Sequence, residues 1–199
     1  AAMQERFNSK KEMYNTQNTI SGYVIGDEYT ASSKDIEAAK KQAEDIMKSL
    51  TVENFAEKAK QFSKDPGSAQ NGGSLGGEID LTQLVPEFAE AVKKAEKGKI
   101  VGPVKTQFGY HIIYVQDKNA NNANLAKVSH ILIMPTISQE TKDALVKRLN
   151  DVKAEIDSKK VTWEQVESQG KYNFSVKEKF KTLAKNDSIP GIGKNDPTL

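Results

Sequence analysis

The chain has no cysteine among its 199 residues. Disulfides, thiolate nucleophiles and thiolate metal sites are excluded together, although the compartment is not fixed by this, because exported proteins also do without cysteine. Histidine is almost as scarce, with two copies. Any imidazole chemistry must therefore use His111, His130 or both. No apolar run approaches the roughly 18 residues of a membrane-spanning helix, and no signal-peptide pattern opens the chain. Charge of one sign is not concentrated either. The 29 Lys and Arg and 27 Asp and Glu are interspersed, with a formal net charge of +2, which argues against nucleic acid as a partner.

What is present is an ordinary globular composition, 37% hydrophobic and 28% charged, at a length that suits two modest domains. The opening "AAMQERF" reads as internal to a longer protein. Residues 1–18 are polar with few apolar positions and predict a connector helix. "TISGYVIGDEY" predicts a strand. "SSKDIEAAKKQAEDIMKSL" predicts a serine-capped helix, with Ile36, Ala39, Ala43, Ile46 and Leu50 on one face. A second helix capped by Thr51 places Phe55, Ala59 and Phe62 together. The turn-rich loop "KDPGSAQNGGSLGGE" follows, then a short helix from Pro86 to Gly98 and two strands in "IVGPVKTQFGYHIIYVQD". That order predicts an α+β fold, a small antiparallel sheet with surrounding helices.

"NANNANLA" then reads as a linker over residues 120–126. After it the pattern starts again. "VSHILIM…ETKDALVKRLNDVKA" matches "ISGYVIG…SSKDIEAAKKQAEDI", with Ser129 against Ser21 and Asp143 against Asp35, each pair 108 positions apart without a gap. "VTWEQVESQG" stands for the second helix and "NFSVKEKF" for a strand. The expected division is a first domain over 19–119 and a second, incomplete one over 127–199.

"FSKDPGSAQNGGSLGG", "LVPEF" and "GPVKTQFGYHII", in this order and spacing, resemble the parvulin family of peptidyl-prolyl cis-trans isomerases. The tandem arrangement resembles the SurA-like and PpiD-like folding factors of the bacterial periplasm, and "SIPGIGKN" resembles a stretch of their degenerate domains. The resemblance implies a proline pocket built by Leu84 and Phe88, with Phe108 as a further substrate-binding residue. It implies Asp65 facing the amide, His111 at the pocket floor, and Thr106 bonded to that histidine. Gly22 stands where the family's first strand carries a histidine, and His130 restores that residue type in the second copy. No cofactor is implied, and a metal held by both histidines is disfavoured by their expected separation. Asp27 and Glu28 stand where phosphate-directed relatives carry basic residues. The implied partners are unfolded, proline-containing polypeptides outside the cytoplasm, with no membrane contact from this segment and the anchoring of the parent protein left open. The alternative is a chaperone or scaffold module that binds extended apolar segments without turnover.

Overall fold

The computed structural model describes residues 20–183, so the expected connector helix and the "SIPGIGKN" stretch lie outside the described residues. The chain divides into two units, one of residues 30–141 and one that joins residues up to 29 with those from 142 onward.

In the first unit, α1 (Ser33–Lys48) opens with a reciprocal capping box between Ser32 and Asp35. Helix α2 (Phe55–Phe62) starts later than the expected Thr51, because Thr51 and Asn54 bond each other's backbone N–H in a turn ahead of it. Strand β2 (Ile79–Asp80) and α3 (Pro86–Lys94), with proline in its first turn, come next. Three longer strands follow: β3 (Ile100–Thr106), β4 (Gly109–Lys118) and β5 (Leu125–Ile133). They form one antiparallel sheet in the order β2-β5-β4-β3. Side chains alternate across it. Tyr110, Ile112, Ile131 and Ile133 pack beneath Ala39, Ala43, Ile46, Phe55 and Ala59 of α1 and α2. On the opposite face, Ile113, Val115, Ala126 and Val128 pack against Phe88, Val92 and Ala95. His111 and His130 alternate onto this second face.

This placement of β5 overturns the expected domain division. Residues 120–126 are not a linker. Asn119 accepts from the backbone N–H of Asn121 and Asn122, Asn122 accepts from Asn124, and Asn119 donates to the Leu125 carbonyl, so the run turns β4 back into β5. Asparagine stabilises turns by such bonds, and its polarity resembles that of a linker. β5 is then gripped on both edges. It pairs with β4 from Tyr110↔Ile133 to Lys118↔Ala126. Its other edge bonds Lys64 through Leu132, Gly73 through His130, and Leu75 through Val128. Gly73 has φ +79°, and a Cβ there would collide with the His130 carbonyl. The glycine lets the loop approach this closely.

The second unit pairs β1 (Ile20–Gly26) antiparallel with β6 (Val176–Leu183). The long helix α4 (Gln139–Asp157) crosses the division, and α5 (Trp163–Ser168) carries a Thr162–Gln165 capping box. Val152, Val161, Trp163, Val166, Tyr172 and Phe174 form its core, with Ile25, Leu149 and Ile156 against them. Tyr23 stacks on Trp163 at 4.3 Å between ring centroids. The first strand of the chain therefore belongs to the second unit, and residues 127–133 belong to the first.

Candidate active site

Asp65 lies just past the end of α2, where Ser63 leaves the helix in extended conformation. Its Oδ1 accepts from the Gly67 N–H at 3.2 Å, an Asx turn that fixes the carboxylate. Oδ2 accepts from the Ser68 hydroxyl and lies 2.8 Å from His130 Nε2. The His130 and His111 rings are stacked, 13° apart, with their Nδ1 atoms 3.1 Å from each other. His111 Nε2 lies 2.9 Å from Thr106 Oγ1, which also accepts from the Phe108 N–H at 3.1 Å. Ser68, Thr106, His111 and His130 are all buried.

Valence gives this chain one consistent proton order with both rings neutral. An ionised carboxylate can only accept, so His130 donates from Nε2 and keeps a lone pair on Nδ1. His111 must then donate from Nδ1 and accept at Nε2 from the Thr106 hydroxyl. Thr106 in turn accepts from the Phe108 N–H. Every link has one donor. Burial drives the His111 pKa down to about 4, with the neighbouring His130 acting in the same direction and the Asp65 charge opposing it. Burial alone would raise the Asp65 pKa, but bonds from Ser68, His130 and Gly67 outweigh it and lower the value. Both directions favour a neutral His111 and an ionised Asp65.

Above this chain is a cleft of about 540 Å³, lined by Asp65, Leu84, Phe88, Phe108, His111, His130 and further apolar side chains. The Phe88 ring stands nearly perpendicular to both imidazoles, at 5.3 and 5.6 Å between centroids. It is buried in the core and also lines the cleft. Leu84 follows a 3₁₀ turn held by Asp80, whose side chain accepts from the Thr82 N–H. Phe108 and Met134, 49% and 44% exposed, form an apolar rim.

The structure thus brings Asp65, Leu84, Phe88, Phe108 and His111 to one cleft, with Thr106 behind His111. It also brings His130, expected in another domain, and Ser68, which the sequence reading passed over. The signal for His130 was its match to the family's first strand; for Ser68 it was the three-residue spacing from Asp65. Gly22 is not in this site. It lies on β1 in register with Phe180, in the other unit. Asp27, read as an acidic substitute for a phosphate-binding cluster, is likewise elsewhere and pairs with Arg148 at 3.3 Å.

Residues 23–117 match the family described as "Rotamase: PPIC-type PPIASE domain". The match begins within β1 and stops before β5. The foldase protein PrsA of Geobacillus kaustophilus is 36% identical over 165 residues, covering 79% of this chain and 53% of that protein. A PrsA foldase of another Geobacillus is 51% identical over 79 residues, covering 39% of this chain and 28% of its own length. The chaperone SurA of Pseudomonas putida is 46% identical over 71 residues, 36% of this chain and 16% of that protein. The chain spans about half the length of the first relative and less of the other two. Residues 23–117 are thus similar to the PPIC-type peptidyl-prolyl isomerase domain of the parvulin family, and the apolar cleft with the bonded histidine pair beneath it accompanies that match.

Proposed function

We propose that the unit of residues 30–141 catalyses cis-trans isomerisation of X–Pro bonds in unfolded polypeptides. The supporting observation is the apolar cleft backed by the unbroken chain Ser68–Asp65–His130–His111–Thr106. The reaction rotates an amide against a barrier of about 18–20 kcal/mol set by resonance, and it makes and breaks no covalent bond. Leu84, Phe88 and Phe108 hold the proline ring. A low-dielectric wall disfavours the charge-separated planar amide relative to the twisted one, and the Asp65 carboxylate beside the carbonyl oxygen adds to that difference. His130 holds Asp65 in place, and His111 holds His130. They act as positioning residues.

Clients are extended and apolar around the proline, and binding is independent of phosphorylation. Lys64 is the cation at the cleft, and Met134 to Ser138 after β5 carry no lysine or arginine. The names foldase and chaperone borne by the relatives support a folding factor, and its site of action is proposed to lie outside the cytoplasm. Among the described residues no helix is long and apolar enough to cross a membrane. The non-catalytic chaperone reading drew its support from Gly22 in place of a histidine, and His130 in the cleft removes that support.

Exchange NMR on an unphosphorylated X–Pro peptide tests the proposal. The chain is expected to accelerate interconversion, and Phe88→Ala to abolish the acceleration while the peptide's ordinary exchange rate persists. An undetectable rate with the unaltered chain, with binding at Leu84 and Phe88 intact, would overturn isomerisation in favour of binding alone.

A further inference from the structure

Two strands of this chain carry one pattern. "ISGYVIG" (20–26) and "VSHILIM" (128–134) are repeat equivalents 108 positions apart. The structure seats them crosswise. The first repeat supplies α1 to β4 of one unit but gives its own first strand to the other, and the second repeat fills the gap with β5. The matched family range, running from within β1 to the end of β4, spans the uncrossed arrangement.

We propose that the gap between β4 and the glycine-rich loop is a strand-receiving site able to take β1 as well as β5, and that His130 selects β5. Ladder hydrogen bonds come from the backbone and are the same for either strand. Two of the side chains are close substitutes, Leu132 against Val24 and Ile133 against Ile25, while Tyr23 is larger than the buried Ile131 it would replace. The difference in hydrogen bonding is at one position. His130 meets Asp65, Ser68 and His111, all within 3.1 Å. Gly22 in that place would leave the inward donor of His111 without its partner and Asp65 Oδ2 with the Ser68 hydroxyl alone, and buried polar groups tolerate such a loss poorly. β1 is selected in its own unit by other contacts, the Tyr23–Trp163 stack and the Asp27 bonds to Arg148 and to the Ser175 N–H. With β1 in the gap the sheet is whole and the histidine pair is broken. The site then has a folded form of much lower activity, a consequence that rests on the isomerase reading, whereas the strand placement does not.

The absence of cysteine makes crosslinking unambiguous. Asp117 on β4 pairs with Lys127 on β5, and the repeat equivalent of Lys127 is Thr19. Asp117→Cys with Lys127→Cys reports β5 in the gap, and Asp117→Cys with Thr19→Cys reports β1. Each pair is made in the native chain and with His130→Gly, then oxidised. In the native chain the first pair is expected to close in nearly all molecules, with isomerase activity within about twofold of the unaltered chain. The second is expected to close in a minor fraction that rises about fivefold or more with His130→Gly, and its crosslinked monomer is expected to have activity lower by about 10- to 100-fold or more. If the Thr19 pair stays open in both backgrounds while the Lys127 pair closes, the gap takes β5 alone and the proposal fails. A Thr19 crosslink that closes equally with and without His130 removes the selecting role, and one at twice the chain mass assigns the strand to a second copy; either overturns it. Expected crosslinks without activity in any form would count against the isomerase reading and leave the strand proposal standing.

Discussion

β1 and β5 read almost alike in sequence, yet they do unequal work. β5 lies between β4 and the glycine-rich loop, with Ala126, Val128 and Ile131 fully buried and a histidine in the site. β1 pairs with β6 alone among the described residues, and Tyr23 is 45% exposed. The same alternation therefore codes for an interior strand in one place and a shallower one in another. What a strand residue is worth depends on its neighbours more than on its own propensity.

The harshest way to break this comparison is to end the chain at residue 119. On the sequence alone, residues 19–119 would be a complete domain; in the structure that fragment lacks an interior strand and His130. Isomerase activity of the fragment is expected to be undetectable by exchange NMR, and adding residues up to 141 is expected to restore it. A fragment as active as the whole chain would show that β5 is dispensable.

The equivalent positions Ile131 and Tyr23 sharpen the contrast. Ile131→Ala is expected to destabilise its unit by about 2–5 kcal/mol, as for other buried aliphatic truncations. Tyr23→Ala loses chiefly its ring contact with Trp163, worth about 0.5–1.5 kcal/mol. Urea unfolding measures both, with the single tryptophan reporting on the unit that holds β1. Equal losses at the two positions would contradict the difference in depth.

Acid separates the units next. The folded His111 titrates near 4, below its ordinary 6.5, so between these values the unfolded chain binds a proton that the folded unit refuses. Stability is then full above about pH 6.5 and falls as the pH drops through 4. Asp65, lowered from 3.8, adds loss in the same direction at still lower pH. Both histidines belong to the unit of residues 30–141. Its urea midpoint is expected to fall between pH 7 and 4.5, and His111→Phe to flatten that slope, while the tryptophan-reported unit lacks this histidine-dependent fall.

The smallest effect is expected at Gly22. Gly22→His, which on sequence grounds would repair the site, is expected to leave kcat/KM within about twofold, because Gly22 lies on β1 in the other unit. His130→Ala is the matching positive control. It is expected to lower kcat/KM about 10- to 100-fold, or about 1.4–2.7 kcal/mol of transition-state stabilisation. A large gain from Gly22→His would mean that β1 is seated beside β4.

The helices, the α+β class and the cleft residues Asp65, Leu84, Phe88 and His111 were legible because local pattern and motif order carry them. Ser32 and Asp35 announce α1, and Pro86 announces α3. Which sheet receives which strand was not legible. Alternation specifies a buried face, and β1 and β5 alternate identically, so the choice rests on contacts between distant residues such as Asp65 and His130, 65 positions apart. The asparagines at 119–124 misled for a local reason. Side chains that close an Asx turn are the same ones that solvate a linker, and the difference lies in whether a strand on the far side has a place to go.

The late arrival of β5 also bears on biosynthesis. A ribosome adds about 5–20 residues per second, so after β4 is made, the strand that covers its edge takes further time to be translated. During that interval the β4 edge, with its unpaired backbone groups and the apolar Ile112 and Ile113, has no β5 beside it. The chain thus passes through an aggregation-prone stage of its own, and under the strand-receiving proposal β1, already synthesised, would shield that edge until β5 displaces it.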